Sequence, residues 1–473
     1  MVDHPKRDLP GLVLVAARLV EQGADVLLVP LNLLGAEIPA LAPDLVALPY
    51  LRRHIEWVIR GALEAGIAYG VVDTEGGLYG DLDDYGATYV TDRALLEGMS
   101  VLCAWGPRTR DYVVERGLFG ADQVVVTGVP RFDFYAPRWR SFFPARPAGD
   151  PTMLLVNTKV AVANPQHQSV EDEVAMYVDR LGFSPEKVEE FRRVGVESIR
   201  ATLELVNRLA ADRPGSRIVL RPHPHERAAT YQDGIDPGAP NLEVRGEGTV
   251  DGWIVRSSAM IHRHCTTALE AGFAGVPAIA PLWVPTASNA PDAERVSIRC
   301  RTYEELVAVL DAVDGGEDVV TDEARSALAR IVDEWMLAVD GRSHERVADA
   351  LLDRLGEPRP ALDHTVLEAM FHRLHEPWSS TRGLVGRAAR LGGRGVARRT
   401  VTGLLHPAAR RWAGSDKAFS ASEVDALLAR VHLARGGDPA SPPCTVSRAV
   451  DIDAYAWGYA GHAVVVGPNE GGS

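Results

Sequence analysis

Cysteine is scarce in these 473 residues, and its placement excludes more than its number does. Cys103, Cys265, Cys300 and Cys444 are scattered, with no Cys-x-x-Cys pair among them. That pattern indicates neither a disulfide framework nor a zinc knuckle. Long apolar runs are missing too. None reaches the roughly 18 residues that mark a membrane span, and no signal-peptide pattern opens the chain. The sequence therefore reads as a reduced, cytoplasmic protein. Positive charge is in deficit: the formal net charge is −14, which argues against a general nucleic-acid binder. Low-complexity stretches and solenoid-type repeats are also lacking. What remains is the composition of a globular chain too long for one ordinary core, so two domains with additional pieces are expected.

One further absence concerns order. A doubly wound domain opens with a strand, and this chain opens with a helical pattern, Leu12 to Gln22, ending at Gly23. From there apolar runs and amphipathic stretches alternate. Strands are expected at Asp25–Pro30, Leu45–Leu48, Ile67–Val72, Val101–Trp105 and Gln123–Thr127. Helices are expected at Tyr50–Ala65 and Thr109–Arg116. Arg138 to Asp150 reads as a Pro- and Arg-rich linker. A second series follows, with strands at Thr152–Val156, Ile218–Leu220, Leu242–Arg245, Ala259–His262 and Pro277–Ala280. Helices lie between these strands and after them, to Leu355. Alternation of this kind means βαβ units and parallel sheets. The expected division is 1–137, 151–356 and a C-terminal extension, 357–473, partly helical and basic.

The most constrained stretch is Arg217-Ile-Val-Leu-Arg-Pro-His-Pro-His-Glu226. A buried strand stops in a polar turn where Pro222 and Pro224 bracket His223. Proline fixes its own backbone and restricts the residue before it. His223 is thereby held extended at a strand end, which is where open α/β sheets bind ligands. With Arg221 and His225 beside it, this imidazole suits a phosphate or diphosphate. The plain alternative is a stiff turn with solvated histidines.

Two other constellations carry chemistry. Asp73-Thr-Glu-Gly-Gly77 follows a strand and offers carboxylates in a turn whose glycines permit close approach; an acid there can act as general base. An ordinary turn is the alternative. His262-Arg-His-Cys-Thr-Thr267 runs into Ala-Leu-Glu270 and Gly275-Val-Pro277. Thr266 or Thr267 is expected to cap the helix, whose start favours an anion, and Glu270 is placed to accept from ribose hydroxyls. Asn157-Thr-Lys159 is the turn after the first strand of the second series. Between Phe371 and Ser415 stand nine arginines and one acid, Glu376. That segment, 371–415, reads either as a peripheral contact for anionic membrane or as a solvated basic face on an acidic body.

Glu270-Ala followed by Gly275-Val-Pro277 resembles the donor half of GT-B glycosyltransferases and non-hydrolysing sugar-nucleotide 2-epimerases. The ordered set of Lys6-Arg-Asp-Leu, Asp73-Thr-Glu-Gly, Ala104-Trp-Gly106, Thr127-Gly-Val-Pro-Arg-Phe-Asp133, Arg221-Pro-His-Pro and His264-Cys-Thr-Thr-Ala-Leu-Glu270 looks like the bacterial surface carbohydrate biosynthesis family. It is also similar to the sialyltransferases and Kdo transferases that share an acid-acid-Gly motif and a His-Pro motif. The resemblance spans roughly residues 6 to 355. It implies an α/β GT-B fold, with two Rossmann-like domains facing a cleft and a helical C-terminal extension.

The implied activity is inverting, metal-independent transfer from a nucleotide-sugar donor, such as a CMP-activated nonulosonate or Kdo-like sugar. The acceptor would be an oligosaccharide or glycolipid; no cofactor and no nucleic acid are involved. His223-Pro224 matches the His-Pro motif. Thr74-Glu75-Gly76 matches the acidic motif in part, since Thr74 stands where an acid belongs. The base is then Asp73 or Glu75, with Glu75 favoured because it directly precedes Gly76. Donor contacts fall to Arg221, Pro224, His225, His264, Thr266, Thr267, Glu270, Asn157 and Thr158. A 2-epimerase and a non-catalytic scaffold of polysaccharide assembly are the alternatives.

Overall fold

The computed structural model describes residues 1–31, 37–79, 81–143, 151–179, 183–287, 291–356, 363, 366–367, 370–371, 418–438, 443–454 and 459–469. The basic segment after Phe371, with the membrane contact expected of it, lies outside the described residues. The chain divides into two compact units: Met1–Phe142 with Asp333–Ser473, and Phe143–Val332.

The first unit holds a four-stranded parallel sheet in the order β2-β3-β4-β5, made of β2 (Leu45–Leu48), β3 (Ala68–Val72), β4 (Val101–Ala104) and β5 (Val124–Val126). Its core gathers Leu48, Ile59, Tyr69, Val71, Leu102 and Val113, all nearly inaccessible. The strand expected at Asp25–Pro30 exists as β1 (Val26–Leu28) but does not join this sheet. It pairs antiparallel with β13 (Tyr459–Pro468), which pairs in turn with β12 (Cys444–Ala454). Thus the helical opening has a structural meaning: the parallel sheet starts at β2, and the strand after the first helix serves a second, smaller sheet. Val464 and Val466 of that hairpin pack with Val13, Ala16 and Ala17 of the Pro5–Glu21 helix.

Three further expectations need correction. The helix expected from Tyr50 begins at Glu56, after a 3-10 turn at Arg53–Ile55. Tyr50 to Arg52 instead runs into an isolated bridge from Arg52 to Tyr89. The expected linker is ordered through its first part. Trp139 and Phe142 are buried in a 3-10 segment, Pro137–Phe142, where Trp139 donates to the Gly341 carbonyl at 3.0 Å. Finally, the Ser343–Leu352 helix, expected with the second domain, packs on the Pro5–Glu21 helix. Asp133 explains why. Its carboxylate accepts from Ser343 N at 2.9 Å, His344 N at 2.8 Å and the His344 ring at 2.8 Å, with Asp133 and His344 fully inaccessible. A carboxylate 210 positions upstream thus satisfies the orphan amides of that helix start.

The second unit is built on six parallel strands in the order β11-β10-β9-β6-β7-β8. They are β6 (Met153–Asn157), β7 (Arg217–Arg221), β8 (Leu242–Val244), β9 (Ala259–His262), β10 (Ala278–Pro281) and β11 (Ile298–Cys300). β6, β7 and β9 are buried almost throughout, as parallel strands covered on both faces must be. The sequence reading omitted β11, three residues long with Arg299 exposed at its centre. Two α/β units, each on a parallel sheet, give the layout expected of the GT-B fold. Among the described residues no helix is long and apolar enough to cross a membrane.

Candidate functional site

In the first unit the acidic turn leaves the carboxyl end of β3, and every part of it is held. Trp105, just past β4, donates its indole N–H to the Asp73 carbonyl at 2.6 Å. Thr109 donates to the Gly76 carbonyl at 2.8 Å. A Cβ on Gly76 would collide with the Asp73 carboxylate, and one on Gly77 with the Trp105 ring, so both glycines are required by close approach. The Asp73 carboxylate is buried. One oxygen accepts from Glu75 N at 2.9 Å and the other from the Tyr85 hydroxyl at 2.5 Å.

Glu75 is placed differently. It lies between two guanidinium groups: Arg7 Nη1 donates to it at 2.8 Å, and Arg52 donates to its other oxygen. Arg7 also holds Asp3 and both oxygens of Asp8, and donates to the Thr74 hydroxyl at 3.3 Å. Arg52 lies over the Tyr50 ring, 4.5 Å from its centroid. The two carboxyls are driven apart. Burial pushes Asp73 up to about 6, against the pull of Tyr85, the Glu75 amide and Arg52. Burial would also raise Glu75, but Arg52 and Arg7 outweigh it and bring that group down to about 2. Asp73 is therefore the acid whose proton affinity lies near neutrality, while the charge of Glu75 is committed to two arginines.

In the second unit the strand order reverses direction between β6 and β9, the switch point where such sheets bind ligands. Register places Asn157 opposite both Arg221 and His262, so two predicted donor contacts and His262 stand side by side at the carboxyl ends. Asn157 donates to the Thr267 hydroxyl at 3.1 Å. Its carbonyl oxygen is buried without a hydrogen-bond partner among the described residues. The cavity behind it, about 30 Å³, has room for a water or two.

The turn at 158–160 is anchored by Glu226, which accepts from Thr158 Oγ1 at 2.7 Å, Val160 N at 2.7 Å and the Tyr231 hydroxyl. Lys159 is exposed at its tip. The same Glu226 follows the proline–histidine turn, closed by Glu226 N on the His223 carbonyl at 2.7 Å. His223 and Pro224 are half-buried and His225 is exposed; the two imidazoles stack with centroids 5.4 Å apart.

Several predicted residues have commitments the sequence did not reveal. Arg221 is buried and donates to the carbonyls of Glu247 at 2.8 Å and Gly248 at 2.7 Å; burial pulls it down to about 10. His262 is buried, accepts from Cys265 N at 3.3 Å and meets Ser297 Oγ at 2.8 Å. Burial, with His264 and Arg263 nearby, brings it down to about 3, so it stays neutral. His264 sits at φ +54°, a left-handed conformation, and pairs with Glu294 at 3.1 Å; Arg263 holds the same oxygen at 2.8 Å. Thr266 precedes the Thr267–Ala274 helix with helical rather than extended dihedrals and makes no side-chain cap, contrary to expectation, while the Thr267 hydroxyl accepts from Asn157. Glu270 is half-buried in the first turn. Thus Asn157, Thr158, His262, His264 and Thr267 converge around the switch point.

Sequence reasoning assigned no role to Arg7, Arg52, Tyr85, Trp105 or Glu226. Arg7, Trp105 and Glu226 stood inside the motif runs. Arg52 and Tyr85 carried no local signal.

No protein-family model matches the chain, and no curated protein does. Solved structures do. A putative UDP-N-acetylglucosamine 2-epimerase from Listeria monocytogenes is 14% identical at TM-score 0.43, covering 70% of this chain and 80% of its own. The UDP-GlcNAc 2-epimerase from Neisseria meningitidis, bound to UDP-GlcNAc, is 14% identical at TM-score 0.41, covering 68% and 80%. The wall teichoic acid polymerase TagF is 10% identical at TM-score 0.33, covering 55% and 58%. Likeness of this degree says nothing about the reaction this chain performs.

Proposed function

We propose that the chain is an inverting glycosyltransferase that moves a sugar from a nucleotide-sugar donor to a saccharide or glycolipid acceptor. The observation that carries this reading is the switch point of the second sheet. There the Asn157–Lys159 turn and the Thr267–Ala274 helix start flank one strand-end rim. Amides and dipole at such a helix start favour a phosphate, and Lys159 adds a positive charge. His223, beside them on the next strand's turn, donates to the leaving phosphate in this reading.

In the first unit Asp73 takes the base role. Its carboxyl is raised toward neutrality, whereas Glu75 is neutralised by Arg7 and Arg52 and orients the turn. The acceptor hydroxyl gives its proton to Asp73, and its oxygen bonds to the anomeric carbon. The bond from that carbon to the donor phosphate breaks, and the nucleotide leaves with the electron pair. The resemblance to sialyltransferases and Kdo transferases points to a CMP-activated acidic sugar as donor.

The test is to incubate the full chain with CMP-, UDP-, GDP- and CDP-activated sugars, with and without oligosaccharide acceptors, and measure free nucleotide and sugar products. Nucleotide release that depends on acceptor is expected. Isomerised donor formed without acceptor would make it an epimerase, and no nucleotide response in any arm would make it a scaffold.

A further inference from the structure

The Asp73 carboxylate is the inner end of a chain of hydroxyls that the transfer reaction, as described, does not use. Tyr89 donates to the Tyr85 oxygen at 2.5 Å, and Tyr85 donates to Asp73 at 2.5 Å. Both tyrosines are buried, Tyr85 at 3% and Tyr89 at 5% exposure. Their rings meet edge to face with centroids 5.1 Å apart, and Tyr89 packs the same way on Phe119. Tyr85 belongs to the short Leu82–Ala87 helix, fastened at its start by the Asp81 side chain on Asp83 N. We propose that Tyr85 is a positioning residue for the Asp73 carboxylate, and that Tyr89 positions Tyr85.

The argument rests on proton counting. A phenol has one hydrogen to give. Tyr85 gives its hydrogen to Asp73, so its lone pair is what Tyr89 meets. The order Tyr89 to Tyr85 to Asp73 is consistent only while that carboxylate oxygen is an acceptor. The other oxygen faces the Glu75 amide, which also donates. Each oxygen keeps a second lone pair for an incoming proton, but protonation weakens the carboxyl as an acceptor for both donors. The chain therefore favours the ionised carboxylate, against the burial that disfavours it. Two donors also fix the plane of the carboxylate, leaving its remaining lone pairs as the only sites for an incoming proton. A lone buried tyrosine would be ordinary core; a second phenol in series, both hydroxyls directed inward to one carboxylate, is not needed for packing.

The other charged and titratable groups facing Asp73 are Glu75 and Arg52, with Tyr79 beside them; Arg131 donates to the neighbouring Thr74 carbonyl at 3.3 Å. None of these is altered by removing a phenolic oxygen. The inference rests on the base role of Asp73 only for its catalytic consequence, and its test reads the carboxyl directly.

The full chain is labelled with ¹³C at aspartate carboxyls, and Asp73 is assigned by the signal lost in Asp73→Asn. Titration from pH 4 to 8 then compares wild type with Tyr85→Phe and Tyr89→Phe. Loss of a hydrogen bond to a charged group changes proton affinity by about tenfold, so Tyr85→Phe is expected to raise the Asp73 midpoint by about one pH unit. Tyr89→Phe, acting through Tyr85, is expected to shift it the same way by less. If Tyr85→Phe fails to fold, Tyr89→Phe alone carries the test. An unmoved midpoint in a folded variant overturns the proposal. A midpoint that moves while the acid limb of the transfer rate stays in place supports the positioning role and overturns the base assignment instead.

Discussion

The two units share a parallel-sheet architecture and handle charge in opposite ways at their strand ends. In the first, ions are already matched. Arg7 holds Asp3, Asp8 and Glu75, Arg52 holds Glu75 as well, and a single acid, Asp73, is left to hydroxyl and amide donors. In the second, Asn157, Thr158, Thr267 and a histidine held uncharged by burial stand at the switch point, beside the Arg263–Glu294 pair and the exposed Lys159. Arg221, the cation at the centre, is turned to carbonyls. One region is organised to hold a proton of near-neutral affinity. The other, in the function proposed above, offers dipoles and amides to a charge that arrives with the ligand. A shared parallel-sheet architecture therefore does not imply shared chemistry, and part of the difference lies in a handful of side chains on the connecting turns.

The sharpest way to break this contrast is Asp73→Asn. Removing a general base is expected to lower transfer by about 10²–10⁴, while nucleotide affinity, assigned to the other unit, stays unchanged. Steady-state rates with nucleotide-binding isotherms check both halves. Glu75→Gln, by contrast, should mainly loosen the turn, seen as a lower melting temperature with a smaller loss of rate.

Next in size is Asp133→Ala. It strips two helix amides and a buried imidazole of their acceptor, and leaving a buried donor unsatisfied typically costs about 1–3 kcal/mol. Chemical denaturation should show this loss in the first unit, with the transition of the second unmoved.

The third prediction sets the units against each other by pH. Asp73 is raised from 3.8 to about 6, so its contribution is complete below pH 3.8 and is lost as pH rises through 6. His262 is lowered from 6.5 to about 3, so its contribution is complete above pH 6.5 and is lost as pH falls through 3. Between these limits each group changes stability by up to about 1.4 kcal/mol per pH unit, in opposite senses. Relative to wild type, the melting temperature of Asp73→Asn should improve as pH rises from about 4 to 6, and that of His262→Asn should improve as pH falls over the same range. Parallel behaviour of the two variants would refute the contrast.

The smallest effect is expected at Glu226→Gln, which weakens the clamp on the 158–160 turn at a cost of about 1 kcal/mol. Hydrogen exchange at Val160 should quicken before global stability falls noticeably.

The sequence made the βαβ alternation legible because buried parallel strands are short apolar runs between amphipathic helices; β6, β7 and β9 stand where those runs stand. The proline–histidine turn was legible because proline acts locally. What escaped was long-range. β1 looks like any other apolar strand, and its antiparallel partner β13 lies more than 400 positions away, so nothing local separates it from the parallel set. Nor did composition expose the clamp role of Glu226, or the reach of Arg52 to Glu75, which needed the helix expected at Tyr50 to start later. The preference for Glu75 as base followed a motif position; burial and two arginines, neither visible in order of residues, are what distinguish it from Asp73.

The carboxylate of Asp133 on the start of the Ser343–Leu352 helix has a consequence in time. The first unit is interrupted: its sheet and acidic turn are complete in chain order by Phe142, but its closing helix is translated only after the whole second unit. At roughly 5–20 residues per second, the 210 positions between Asp133 and Ser343 take roughly ten to forty seconds to synthesise. During that interval the second unit can emerge and fold whole, while the first waits with a buried acid unpaired and the apolar side of the Pro5–Glu21 helix uncovered. The nascent chain is exposed to aggregation and chaperone capture in that window, which closes only when the β12–β13 hairpin that also packs on the Pro5–Glu21 helix has been made.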